Sequence, residues 1–139
     1  MHDIARSGVP LGLTLVALVA DVRRREVPDG VPLAIAVWAV VAMLAGWNDV
    51  SGLALVAGSL LGLATGAVLY AWFGFGGGDA KLLAALGAAL GPGAFLSTLL
   101  WTAVAGGLLA LVARSRRQRD FAYVPAIVAG LCIHAAWPL

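Results

Sequence analysis

The sequence predicts an all-α fold: a polytopic membrane helix bundle with about six transmembrane helices, the fourth short and preceded by a Gly-rich loop. Three observations predict it. Hydrophobic residues make up 62% of the 139 residues and charged residues only 12%, where an ordinary soluble domain needs about 25% charged residues for its polar shell. The mean hydropathy is +0.98. The apolar residues also fall into long runs, most of them near the ~17–25 residues that cross a hydrocarbon core.

The first run spans Val9 to Ala20 and extends back to Ile4 at most. It lacks a small-x-small cleavage site before Arg23 and five more runs follow, so it reads as a retained span rather than a signal peptide. The second runs from Val31 to Trp47 and the third from Leu53 to Phe73. The fourth, Leu82 to Leu90, is too short for an ordinary span. The fifth covers Ala94 to Ala113 and the sixth Phe121 to Trp137. Runs and turns together use the whole chain, so residues 1–139 read as a single transmembrane domain.

Lys and Arg set the orientation. Arg23, Arg24 and Arg25 follow the first run, Lys81 precedes the fourth, and Arg114, Arg116, Arg117 and Arg119 lie between the fifth and sixth. By the positive-inside rule these connections face the cytoplasm and both termini face out. Parity also requires the fourth run to cross. The stretch Gly74 to Gly78 then dips below the surface as irregular backbone, which is tolerated only where protein or a wet cavity surrounds it. A single cysteine, Cys132, excludes an internal disulfide and a four-cysteine zinc site. The net charge of +2 reflects these topology signals, so no nucleic acid partner is expected; the lipid bilayer is.

Most acidic residues have a bland reading. Asp3, Asp49 and Asp120 read as solvated loop charges, while Glu26 and Asp29 flank Val27-Pro28 and read as caps of the second helix, where Pro suits the first turn and a carboxylate the positive end of the dipole. Asp21 and Asp79 differ. Asp21 ends the apolar run Leu11 to Ala20, and Asp79 follows Gly76-Gly77-Gly78; both lie at the membrane boundary on the cytoplasmic side. Ionisable groups at that depth are costly and mark function by default. The alternative is that Asp21 pairs with Arg24 or Arg25 and Asp79 caps a helix and balances Lys81. Two carboxylates converging in a partly dry pocket share one proton. The ionised member then activates a water and the other protonates the scissile carbonyl. Glycines before Asp79 let backbone approach an extended substrate and open unusual backbone angles.

The stretch Asp21-Val22-Arg23-Arg24-Arg25-Glu26-Val27-Pro28-Asp29 resembles the first motif of type IV prepilin peptidases, an aspartate, five variable and often basic residues, then Ile-Pro-Asn. Gly76-Gly77-Gly78-Asp79-Ala80-Lys81-Leu82 resembles their second motif, Gly-x-Gly-Asp followed by x-Lys. Tyr123 to Gly130 is similar to the Pro-containing start of their last helix. The resemblance implies a membrane-embedded aspartic endopeptidase with Asp21 and Asp79 catalytic. It cleaves the short basic leader from prepilin- or pseudopilin-like precursors at the cytoplasmic face of the cell membrane, without metal or other cofactor. Gly76, Gly77, Gly78, Lys81, Arg25, Val27, Pro28 and Asp29 take supporting or substrate-binding places in that picture. The chain looks like the short forms that serve tight-adherence (Flp-type) pili, and the domain that the larger enzymes associate with N-methylation is not represented. Val27 stands where the family has Ile, and Asp29 where it has Asn.

Other residues carry less. His134 and Cys132 read as packing in the last helix, and the tryptophans as interfacial anchors. Gly58, Gly62 and Gly66 form a small-xxx-small face, which packs helices within the chain or, on a sharper reading, forms a homodimer. The rival from another class is a small transporter or structural membrane subunit, whose carboxylates would sit nearer the midplane. A presenilin-like protease would need a Tyr-Asp pair, whereas Ala20 precedes Asp21.

Overall fold

The computed structural model describes residues 8–24, 28–73, 76–115 and 124–137, leaving aside the side chains of residues 21, 22, 24, 73 and 113–115. Five helices run in order: α1 (Val9–Arg24), α2 (Gly30–Leu44), α3 (Gly52–Phe73), α4 (Gly77–Ser115) and α5 (Val124–Ala136). No strand occurs among the described residues, as an all-α fold requires. Helices α3 and α4 are long and apolar enough to cross a membrane, each with a mean hydropathy of 2.0. At 16, 15 and 13 residues, α1, α2 and α5 fall short of the ~17–25 residues of a full span. By length, then, the described helices provide two spans where the sequence predicts about six.

Helix α4 is two helices joined end to end. Gly91 sits at φ 73°, ψ 169°, a region essentially closed to residues with a Cβ. Pro92 follows it, where a missing N–H costs nothing because the first amides of a helix have no internal partner. The arms, 77–90 and 92–115, correspond to the fourth and fifth apolar runs. The first arm is longer than the run Leu82 to Leu90, because helix begins at Gly77 and takes in two glycines and Asp79. At Gly91 an added Cβ would meet only ordinary contacts, Val50 Cγ1 at 3.6 Å being nearest. The strain of Gly91→Ala is therefore all backbone. It should lower stability by about 1–3 kcal/mol, read as the thermal unfolding midpoint in detergent. Gly93→Ala, where a Cβ would meet nothing within 4 Å, should leave that midpoint in place.

The first arm is the centre of the molecule. Leu82, Leu83, Leu86, Leu90 and the alanines between them are buried almost without exception. The core they form also includes Ala17 of α1, Val31 and Ile35 of α2, and Val124, Ile127 and Leu131 of α5. Each outer helix contributes one stripe to it. In α1 the buried positions are Pro10, Thr14 and Ala17, and in α2 they are Val31, Pro32, Ile35, Ala39 and Ala42, the spacing of a single helical face.

Among the described residues of α3 only Gly58, Gly62 and Gly66 are buried. They meet Gly87, Leu83 and Ala80 of the first arm in turn, so the two helices run antiparallel with backbones in close approach. The small-residue face is thus occupied within the chain. Helix α5 runs antiparallel to the second arm in the same manner. Gly130 lies against Thr98 and Thr102, Gly106 near Ala126, and His134 Nδ1 is 2.8 Å from Ser97 Oγ, both residues buried.

Helix α2 stops at Leu44, short of the run to Trp47. Gly46 has φ 67°, and the amides of Gly46 and Trp47 donate back to the carbonyls of Met43 and Ala42 at 3.2 and 2.8 Å. This is the Schellman closure that a glycine after the last helical turn permits. Ser51 starts α3, its Oγ accepting from the Ala54 amide at 3.2 Å. Outward, large apolar side chains dominate: Leu33 and Leu44 on α2, Leu53 and Leu60 on α3, Leu108 and Leu111 on the second arm are all exposed.

Candidate active site

Of the described residues in the two aspartate motifs, Asp29 and Lys81 are brought into contact. Asp21 lies in the last turn of α1, one helical turn beyond Ala17 of the buried stripe, and a few residues later the chain enters α2. Asp79 lies in the first turn of α4. A long-range bond links the start of α4 to the start of α2: Lys81 Nζ donates to Asp29 Oδ1 at 2.7 Å across 52 residues of sequence.

Asp79 itself is buried, with a relative exposure of 9%. Its amide and that of Ala80 donate to the Gly76 carbonyl at 3.1 and 3.4 Å, which closes the first turn of the helix. A carboxylate in that turn is favoured by the positive end of the helix dipole. Its side chain turns back over the preceding backbone, so that a Cβ added at Gly76 would lie 3.7 Å from Asp79 Oδ2. Leu82, Leu83 and Leu86 continue the buried face that Asp79 begins.

Three expectations for this end change. Gly77 and Gly78 belong to the helix rather than to a loop, and among the described glycines only Gly46 and Gly91 have positive φ. Unusual backbone angles are therefore not what the glycines before Asp79 supply. They supply bareness: Gly76 and Gly77 are exposed, and a Cβ at Gly77 would meet nothing within 4 Å. Asp29 stands at the N-cap position of α2 but makes no capping bond, its backbone already helical at φ −56°, ψ −22°. Lys81, in turn, is paired with Asp29 and not with Asp79. An exposed pair of this kind contributes about 0.2–1 kcal/mol to stability, and with side chains 58% and 76% exposed it does not hold the fold together.

Pro28 is exposed and its carbonyl accepts the Val31 amide at 3.0 Å; the residue precedes the cap instead of entering the first helical turn. Arg25, Glu26 and Val27 of the first motif lie outside the described residues, as do Asp3, Gly74, the arginines from Arg116 onward, Asp120 and Tyr123. Away from this end, Cys132 is exposed rather than packed. His134 is packed, and its bond to Ser97 is a polar link inside the core that periodicity alone does not reveal.

No curated protein and no solved structure gives a significant match to the chain. The type IV leader peptidase family does: its model matches residues 9–111, roughly three quarters of the chain and both aspartate motifs, and stops before the Pro-containing start of α5. With Asp21 and Asp79 both inside a match of that extent, the chain belongs to the type IV leader peptidase family.

Proposed function

We propose that the protein is a membrane-embedded aspartic endopeptidase that removes the short leader from prepilin- or pseudopilin-like precursors, with Asp21 and Asp79 as its catalytic pair. The observation that carries this reading is the Lys81–Asp29 contact, since it sets the last residue of the first aspartate motif beside the second motif. Asp79 heads the buried face of the first arm, and Asp21 comes four residues after Ala17 in α1.

A carboxylate pair at the rim of a closely packed core suits peptide hydrolysis. Partial burial discourages two negative charges side by side, so the pair holds one proton between them. The ionised member takes a proton from the attacking water, and the protonated member donates to the carbonyl oxygen and then assists departure of the amine. The proton belongs to the pair as a unit. Bare backbone at Gly76 and Gly77 leaves room for an extended substrate segment beside Asp79.

The many large apolar side chains exposed on α2, α3 and the second arm are of the kind that mark a membrane or partner surface, which supports the bilayer as its surroundings. With α4 counted as two crossings, six segments put both termini outside and the aspartates at the cytoplasmic face, in keeping with the arginine distribution. The test is co-expression with a prepilin-like precursor, scoring leader removal by mass. Asp21→Asn and Asp79→Asn should each accumulate the uncleaved precursor at wild-type enzyme levels, and normal processing by either variant overturns the pairing.

A further inference from the structure

We infer that the bilayer is thinner beside α2 than beside α3, its cytoplasmic surface dipping by about 10 Å to the level of the Lys81–Asp29 pair and the first turn of α4. This rests on the reading of the chain as membrane-embedded and not on the roles given to the aspartates. Helix α2 has 15 residues and α3 has 22, lengths of about 22 and 33 Å. The two are nearly level where the short turn joins them: Gly46 closes α2, and Val50 and Ala54 at the start of α3 lie against Gly91. The difference in length therefore falls at the other end.

The packing of α3 fixes where. Gly58, Gly62 and Gly66 follow the first arm back to Ala80 with backbones in close approach, so α3 cannot absorb its extra length by leaning away from the arm. Beyond Gly66 it continues for about two turns, to Phe73, and Val68, Tyr70 and Trp72 on this extension are exposed. That surface is apolar and ends in the two residue types that favour a membrane interface. Near the level of Gly66 and Ala80 the α2 side instead presents Lys81 and Asp29, both well exposed. Lysine can lift its charge along a four-carbon stem, whereas aspartate, with one methylene, has to meet water or headgroups where it stands. A flat surface fails one side or the other. Drawn at Asp29 it leaves Val68, Tyr70 and Trp72 in water, and drawn at Trp72 it sinks Asp29 about 10 Å into hydrocarbon. A bilayer meets a short apolar stretch by thinning, which satisfies both sides. Through the dip, water and the junction between the leader and the apolar helix of a precursor reach the turn that carries Asp79.

The experiment measures depth. The full chain, with the exposed Cys132 changed to alanine, receives one cysteine at a time: Leu33→Cys or Leu44→Cys on α2, Leu53→Cys or Leu63→Cys on α3, all exposed positions. Each is labelled with a nitroxide in dioleoyl phosphatidylcholine vesicles, and depth is read from relaxation by oxygen against relaxation by a water-soluble nickel chelate. Leu33 lies about one turn in from Asp29 and Leu63 about two and a half turns in from Trp72, so their labels should sit about 6 and 13 Å below the surface. Leu44 and Leu53, at the level ends, should agree within about 3 Å. A flat surface makes Leu33 at least as deep as Leu63, and that result overturns the dip. So does Leu44 lying deeper than Leu53 by as much as Leu33 lies shallower than Leu63, which is a tilt of the whole molecule. If all four labels meet the chelate freely, the membrane reading itself fails.

Discussion

Asp79→Asn and Asp21→Asn are each expected to reduce leader cleavage by about 10²–10⁴-fold, the range that a positioned acid or base supplies. Asparagine keeps the size and most of the hydrogen-bonding shape of aspartate but cannot hold or release the shared proton. The loss should therefore appear with the protein still accumulating normally in membranes. Because the two groups act as one unit, the double variant should be about as impaired as either single one, as opposed to showing the product of the two losses. Asp49→Asn is the control: Asp49 lies exposed in the turn between α2 and α3, at the other end of both helices from Asp29 and Phe73, and should process at the wild-type rate. Time courses of precursor and mature product, quantified by mass, separate these outcomes. Equal losses from Asp49→Asn would mean that the aspartate effects were general damage.

Gly58→Ala is expected to be among the most damaging single methyls at the described glycines. A Cβ there runs into the carbonyl of Gly87, and a Cβ at Gly87 runs into the carbonyl of Gly58. Both obstacles are backbone, so no side chain can rotate away, and α3 must move off the first arm. Overpacking of a tight core costs about 1–3 kcal/mol where neighbours can adjust, and this site belongs at or beyond the upper end. The separation also opens the contacts one turn along, at Gly62 against Leu83 and Gly66 against Ala80. Unfolding of detergent-solubilised protein, followed by helix signal against increasing denaturing detergent, should show a marked loss for Gly58→Ala. Gly107→Ala, on the second arm where a Cβ meets nothing, should be neutral or slightly stabilising, because alanine favours helix over glycine by about 0.5–1 kcal/mol.

The elements most visible in the sequence are those whose limits are set locally. The run Leu53 to Phe73 is helix α3 to within a residue at its start, because nothing but apolar length defines it. Apolar length alone carries the second run on to Trp47, whereas Gly46 closes α2 after Leu44. The start of α4 is not visible either. Glycine is a poor helix former, so Gly76-Gly77-Gly78 reads as loop, and only the bonds from Asp79 and Ala80 to the Gly76 carbonyl extend the helix back across it. Asp29 is misread for a different reason. Its local chemistry says cap, while its partner Lys81 is remote in sequence and nearby only after folding. The aspartate motifs themselves are plain in the sequence as spaced residues; the contact between Asp29 of the first and Lys81 of the second is encoded by no local pattern.

The enclosure of arm 77–90 also governs how the protein can change over time. Its neighbours α2, α3 and the second arm each keep a face turned outward, where an apolar side chain of nearly any size can be accommodated. The enclosed arm has no such freedom: Ala85, Ala88 and Ala89 are each at most 5% exposed, and a close-packed interior registers even one added methylene. Substitution there should be sorted by volume, and on the outer faces by hydropathy. In a saturation library scored by accumulation in the membrane, phenylalanine should be accepted at Leu60, Leu100 and Leu108 and rejected at Ala85, Ala88 and Ala89. Serine, small and able to bond back to its own helix, should show the reverse. The chain would then carry two mutational alphabets, one for its surroundings and one for its centre.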